Sequence, residues 1–245
     1  MRYSVEINGL AVDAWYSEAS VQNIFLPLLQ RLTALYEQKQ RRILVMLAAP
    51  PGAGKSTLAD FLRRLSLSRP ELRPVTVIGI DGFHRRQQYL LTHTAERGGE
   101  QVPMVSIKGA PVTFDLPALR RAVERVAAGE VCGWPEYNRL LHDPVEDAIC
   151  VDGPIVLLEG NYLLLDEEGW RELRQFADFT VRITAEEQLL RSRLTERKTA
   201  SGTPRDAAQE FVERSDLYNA RLCLEHSLPA DLELRLLPND EYVTV

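Results

Sequence analysis

Three cysteines in 245 residues are too few and too scattered to staple a fold or hold a metal. Cys132, Cys150 and Cys223 are odd in number and show no ligand spacing, so a reducing cytoplasm is the expected setting. Basic charge is short as well. Lys and Arg number 29 against 35 Asp and Glu, and the net charge of −6 argues against a nucleic-acid partner. No apolar run approaches the roughly 18–20 residues of a membrane span, which argues against a membrane partner. The opening MRYSVEINGLAV lacks an apolar signal core, so an unprocessed cytoplasmic chain is expected. Internal repeats and low-complexity tracts are also missing. Apolar side chains are not scarce: at 45% they suffice for one large α/β domain, alone or with an appendage.

The chain is organised around Ile43 to Leu58, ILVMLAAPPGAGKSTL. Six apolar residues, Ile43 to Ala48, run without a polar break, as in a strand buried on both faces. A small-residue loop follows, Ala49, Pro50, Pro51, Gly52, Ala53 and Gly54, and then Lys55, Ser56 and Thr57. Leu58, Phe61, Leu62 and Leu65 recur at helical spacing after it. Strand, loop, Lys-Ser and helix make the setting of a phosphate-binding P-loop. Gly52 and Gly54 let the backbone approach a phosphate, and successive N–H groups form an anion site. Lys55 would reach the β- and γ-phosphates, and the Ser56 hydroxyl would face Mg²⁺. ATP and Mg²⁺ are therefore the expected cofactors. Ala49 stands where the pattern has its first Gly, a place Ala can hold at negative φ. The plain alternative is a Gly-rich turn between a strand and a helix.

Residues 1–40 read as an accessory hairpin and helix, with 41–245 as the main domain. Two alternating runs meet at Asn8-Gly9, a strong hairpin signal. Ile24, Leu28, Leu32 and Leu35 then mark a helix over roughly 21–38, with Pro27 kinking it or delaying its start. Val75 to Ile80 is the second buried strand and runs into Asp81-Gly82-Phe83-His84. Ligands sit at the carboxyl ends of strands in open α/β sheets, so Asp81 shares the P-loop's edge. Residues 85–112 show no regular period and read as a long functional or mobile loop. Asp115 caps a helix over 116–128 that Gly129 stops. Trp134 to Pro144, WPEYNRLLHDP, reads as irregular. Pro154 to Gly160 is a third strand, carrying Glu159, and Phe179 to Ile183 a fourth. Thr184 to Glu187 reads as a capping box, and Ala230 to Leu237 as a last strand. The expected fold class is α/β: a three-layer P-loop NTPase fold with a mostly parallel five-stranded sheet and an N-terminal hairpin-helix appendage.

Five segments in order, APPGAGKST, IDGFH, KGAPVTFD, WPEYNRLLHDP and LLEGNYLLL, resemble the phosphoribulokinase/uridine kinase family of P-loop kinases. That family includes type I pantothenate kinase and the YggC-type group. The resemblance covers residues 43–237 and leaves 1–40 outside. It implies an ATP-dependent kinase acting on a small hydroxyl-bearing metabolite, pantothenate-, sugar- or nucleoside-like. By the same resemblance, Asp81 accepts the proton of the acceptor hydroxyl and Glu159 lies near Mg²⁺ or its waters. Tyr137 and Arg139 hold the acceptor, and Lys108 is a basic position on that side. Phe83 and His84 of IDGFH join them, as does Asn219 of DLYNARL. Arg193 and Arg197 are the lid arginines over the phosphates. The expected partners are ATP and that metabolite, with a homodimer admitted.

The chemistry agrees, since phosphoryl transfer rests on positioning and charge neutralisation. Alternatives stay open at single residues. Asp81 could be a cap or a distant Mg²⁺ ligand, and Glu159 a water-bridged outer group. Arg193 and Arg197 could be a solvated helix face, His84 and His142 structural, and Asn219 a bystander. Two other functions compete: a regulatory or chaperone-type NTPase that transfers phosphate only to water, and a silent nucleotide-binding module. A GTPase is disfavoured by the lack of an Asn-Lys-x-Asp tetrapeptide. A walled acceptor site would separate the kinase from the hydrolase.

Overall fold

The computed structural model describes residues 1–7, 10–138 and 141–245. The chain opens with strands β1 (Arg2–Ile7) and β2 (Leu10–Trp15), which pair antiparallel from Arg2↔Trp15 to Ile7↔Leu10. The Asn8-Gly9 turn expected between them lies outside the described residues. A single turn α1 (Glu18–Ser20), a π-helical turn over Val21–Phe25 and α2 (Leu26–Lys39) follow without a break. Pro27 lies inside this continuous helical run, directly after the π turn, where Leu26 N donates to the Val21 carbonyl and the bonding pattern departs from α beside the missing proline N–H.

The core elements are β3 (Ile43–Ala48), α3 (Lys55–Leu67), β4 (Val75–Gly79), α4 (Gln87–Thr92), β5 (Thr94–Arg97), β6 (Glu100–Pro103) and α5 (Leu116–Ala127). Then come β7 (Cys132–Asn138), β8 (Asp143–Val151), β9 (Ile155–Gly160), β10 (Phe179–Ala185), α6 (Glu187–Ala200) and α7 (Arg205–Phe211). A π turn over Val212–Asp216 leads into α8 (Leu217–Glu225), and β11 (Leu232–Leu236) and β12 (Tyr242–Thr244) close the chain.

The main sheet runs β12-β11-β10-β3-β9-β4. Its five expected strands are parallel, and β12 adds an antiparallel edge strand beyond them. Every residue of β3 and β9 is buried, because helices cover both faces. Alternation sorts their side chains between two cores. Ile43, Val45, Leu47, Ile155 and Leu157 pack with α2, α3 and α6; Leu44, Met46, Val156 and Leu158 pack with α5 and Trp134. By the same period Glu159 points to the α3 side.

Three expectations are corrected. Residues 85–112 are not one irregular loop: they contain α4, a β5–β6 hairpin turning at Gly98-Gly99, and short 3-10 turns. Both glycines take positive φ, as a two-residue hairpin turn requires. The described part of WPEYNRLLHDP is not irregular either: Trp134 to Asn138 belong to β7 and Asp143 and Pro144 to β8, with a register shift at Trp134/Glu136 that accommodates Pro135. The Thr184 capping box does not form. Thr184 still belongs to β10, its hydroxyl donates to the Leu234 carbonyl at 3.3 Å, and α6 starts after Glu186 without a side-chain cap.

The N-terminal segment shares the α3-side core. Tyr3, Tyr16, Phe25, Phe61 and Tyr242 form one aromatic cluster, with the Tyr16 and Phe61 rings 4.4 Å apart.

Candidate functional site

Residues 49–54 turn β3 into α3. Ala49 keeps a negative φ, and Gly52 and Gly54 sit at +87° and +77°. Gly52 also needs its bare Cα for a second reason: a Cβ there would lie 3.0 Å from Leu194 Cγ, so α6 packs directly on the loop. Gly54 is the N-cap of α3 and no side chain caps that helix. The first N–H groups of α3 thus face the loop without intrahelical acceptors, as an anion cradle requires.

Lys55 and Ser56 open α3 and meet Glu159 from β9. Ser56 Oγ donates to Glu159 Oε1 at 2.7 Å, and Lys55 Nζ stands 3.8 Å from Glu159 Oε2. Gly79 of β4 lies level with Glu159, and a Cβ at Gly79 would come within 3.1 Å of Oε1. Glu159 is buried, and burial pushes its carboxyl above the usual value of 4.5; Lys55 opposes this, Asp81 adds to it and the Ser56 bond opposes it. This has a thermodynamic sign. A carboxyl whose folded pKa is raised gives its full stability below the unfolded value, and loses it as pH rises through the folded value. Glu159→Gln cannot ionise and keeps the Ser56 partner. The ligand-free variant is expected to be more stable than the parent at neutral pH, with the gain disappearing in acid. Urea midpoints at acid and neutral pH measure this, and parallel pH profiles for the two proteins would refute it.

Asp81 follows β4 in a 3-10 turn over Ile80–Phe83. Its carbonyl accepts from His84 N at 3.1 Å and from His84 Nδ1 at 2.9 Å. Gly82 lets the β7–β8 hairpin close on this turn, since a Cβ at Gly82 would lie 2.0 Å from the Pro135 carbonyl oxygen. Trp134 pins the hairpin: Nε1 donates to the Gly79 carbonyl at 2.8 Å, and Phe83 packs edge-on at 4.9 Å.

On the far side of Asp81 the sequence-predicted acceptor residues converge. The His84 ring lies 4.0 Å from that of Phe114 and 5.4 Å from that of Tyr137. Lys108 Nζ donates to Tyr137 OH at 2.7 Å and to Gln87 Oε1 at 2.9 Å, and burial lowers its pKa. Tyr162, buried, donates to the Gly109 carbonyl at 2.6 Å. Asn219 is buried beside Gly109 and its Oδ1 has no partner; Asn161 Oδ1 is likewise buried and unpaired. Cys223, one turn beyond Asn219 on α8, donates from Sγ to the Asn161 carbonyl at 3.3 Å, and burial pushes its thiol up to about 12.

The two lid candidates differ. Arg193 donates to the Gly52 carbonyl at 3.5 Å and is ion-paired with Asp240, so it braces the P-loop. Arg197, one turn further on, lies near Asp216, whose carboxyl is raised by burial against Arg197, Lys198 and Arg97. Arg139 lies outside the described residues.

A cleft of about 230 Å³ opens between α3, the β4 end and the β7–β8 hairpin. Ser56, Asp81, Tyr137 and Glu159 reach it, and so do Glu6 and Ile7 of β1. Sequence reasoning gave Asn161, Tyr162 and Phe114 no role, although LLEGNYLLL and KGAPVTFD hold them. Glu6 and Ile7 carry no local signal at all.

The oxygen donors suit Mg²⁺. The cation takes one or two carboxylates with hydroxyls, phosphates and water. Ser56 Oγ and Glu159 Oε1 already stand together beside the anion cradle. Among the described residues no group of three or more His, Cys, Asp and Glu forms a closed metal cage, and no helix is long and apolar enough to cross a membrane.

Comparison with known proteins agrees with this layout. "Uncharacterized protein YggC" of Escherichia coli (strain K12) is 41% identical over 243 residues, covering 99% of this chain and 98% of that protein. "Putative uridine kinase C227.14" of Schizosaccharomyces pombe is 30% identical over 205 residues, covering 81% and 85%. The crystal structure of a "putative fructose transport system kinase" from Silicibacter sp. TM1040 superposes with a TM-score of 0.70 at 32% identity, covering 82% of this chain and 98% of that one. The Phosphoribulokinase / Uridine kinase family model matches residues 44–217, so the chain belongs to that family of P-loop small-molecule kinases.

Proposed function

We propose that the chain transfers the γ-phosphate of ATP to a hydroxyl of a small metabolite. The observation that carries this reading is the shared cleft, where Ser56 and Glu159 stand on one side and Asp81 on the other, under the β7–β8 hairpin. A hydrolase would leave the space beyond Asp81 open to water, whereas here Tyr137 lines the cleft beside Asp81, with the His84 and Phe114 rings packed in series behind it. Similarity to a protein described as a "putative uridine kinase" and to another described as a "putative fructose transport system kinase" supports a nucleoside- or sugar-like alcohol as acceptor, and the pantothenate kinases among the relatives keep a pantothenate-like acceptor open.

In this reading residues 49–57 hold the phosphates through backbone N–H groups, and Lys55 neutralises charge where the bridging bond breaks. Ser56 and Glu159 would hold Mg²⁺, which supplies electrostatic stabilisation of the transferring group. Asp81 takes the proton from the acceptor hydroxyl. Tyr137 and Lys108 orient the acceptor with Phe83, His84, Arg139 and Asn219, and on the phosphate side Arg193 acts from its place against the P-loop while Arg197 closes from α6. Residues 41–245 act as the kinase domain and 1–40 as an accessory element.

ADP release by the purified protein tests this against a panel of hydroxyl metabolites, with water as the control. Release well above the water rate with one class supports the kinase. A rate equal to that with water for every compound would move the reading to a regulatory NTPase.

A further inference from the structure

We propose that the N-terminal hairpin β1–β2 is a working wall of the acceptor cleft, and that Ile7 and Glu6 on it select the acceptor by size and by charge. This rests on the kinase reading above. The family pattern begins at residue 44, so it gives the hairpin no task.

The hairpin's own contacts supply one. Tyr3, Val5 and Ile7 share one face of β1 by strand alternation. Tyr3 is buried against α3: its ring meets Phe61 edge-on at 5.1 Å, the Arg64 guanidinium lies 5.1 Å above it, and its hydroxyl donates to Asp60. Arg63 fixes Asp60 in turn, through Nε at 2.9 Å and Nη2 at 2.6 Å. Four residues on, about 13 Å along an extended strand, Ile7 reaches from this face the cleft that Ser56, Asp81 and Glu159 also line, and Glu6, exposed on the other face at the strand's end, borders it too. The Tyr3–Asp60 latch therefore sets this wall at a fixed distance from the reacting groups, through the same helix that carries Lys55 and Ser56.

Charge gives the wall its selectivity. Glu6 on one hairpin and Glu136 on the other line the cleft, and no ion pair among the described residues involves either of them. Asp81 adds negative charge; Lys55 offsets Glu159, Arg63 is engaged by Asp60, and Lys108 stands outside this lining with its ammonium bonded to Tyr137 and Gln87. An acceptor bearing phosphate or carboxylate brings like charge into this space, and an uncharged polyol or nucleoside does not. The favoured acceptor class is thus uncharged and small.

The test uses the full chain with Mg·ATP and size-matched acceptors of three kinds: uncharged polyols and nucleosides, amino alcohols, and phosphorylated or carboxylated alcohols. The parent is expected to show its highest kcat/KM with an uncharged acceptor. Ile7→Trp, which fills the cleft, is expected to raise the acceptor KM by roughly tenfold or more with Mg·ATP affinity unchanged. Glu6→Lys, at an exposed position, is expected to narrow the neutral-over-anionic preference by a similar factor, and it carries the test alone if Ile7→Trp does not fold. A parent that prefers an anionic acceptor overturns the proposal. So does a parent that phosphorylates an acceptor while both variants keep its acceptor KM and selectivity; that result leaves the kinase reading standing. No transfer above the water rate in the parent overturns the kinase reading, and the acceptor wall falls with it.

Discussion

Asp81→Asn is expected to lower kcat with the true acceptor by roughly 10²- to 10⁴-fold, the range general-base catalysis contributes. Mg·ATP affinity should stay nearly unchanged or tighten slightly. The substitution keeps the side chain's size, and the local frame does not depend on the carboxylate: the His84 bonds go to the Asp81 main-chain carbonyl. The slight tightening has a physical source. The Asp81 charge is one of the causes that hold the Glu159 carboxyl up, so its removal lets Glu159 ionise more readily next to Ser56. Turnover and isothermal titration on one preparation read both quantities. A variant that keeps transfer but loses nucleotide would move Asp81 to the metal and make Glu159 the better base. A variant that loses neither would make both residues structural.

The parts of this site that lie on buried strands were legible in the sequence. Ile43 to Ala48 and Ile155 to Leu158 are unbroken apolar runs, as central parallel strands buried on both faces require. Their carboxyl ends then place the P-loop and Glu159, and strand alternation turns Glu159 toward Ser56. The edges were harder. β12 is three residues long, too short for any period, and β5 and β6 are four-residue polar strands whose only mark is Gly98-Gly99. In β7–β8 two prolines, Pro135 and Pro144, and several charged residues hide a hairpin that is half in solvent. Thr184 misleads because its hydroxyl finds a partner across the sheet and not at a helix end.

Long-range closeness was not legible at all. IDGFH shows a glycine at position 82, but the reason for it, the Pro135 carbonyl 53 positions along the chain, belongs to the assembled fold. The N-terminal hairpin reads as a hairpin from its alternation alone. That Tyr3 latches onto Asp60 and carries Ile7 to the cleft follows only from how β1 packs on α3.

Lys55→Ala is expected to weaken Mg·ATP binding by on the order of 10²- to 10³-fold, as loss of one preorganised charge at a phosphate does. It should also destabilise the ligand-free protein in a pH-dependent way, which separates it from a simple loss of packing. Lys55 and Glu159 are 15% and 11% exposed at the side chain, so Lys55 is the cation that offsets a buried carboxylate. Without it the Glu159 carboxyl moves further above its unfolded value. Its stabilising contribution is then full only in acid, and more of it is lost as pH rises through the folded value. The cost at neutral pH should reach up to about 3 kcal/mol, the low end for a broken buried pair, because the 3.8 Å contact is long and Ser56 still donates. The difference from the parent should close as pH falls. Lys55→Ala/Glu159→Gln should recover most of the stability without recovering nucleotide affinity, since the double change removes the stranded charge but not the need for a cation at the phosphates. Urea midpoints over a pH series, with ATP titrations alongside, measure both. If Lys55→Ala loses the same stability at every pH, and Glu159→Gln does not rescue it, Lys55 acts on the apo fold through its methylene stem and not through its charge.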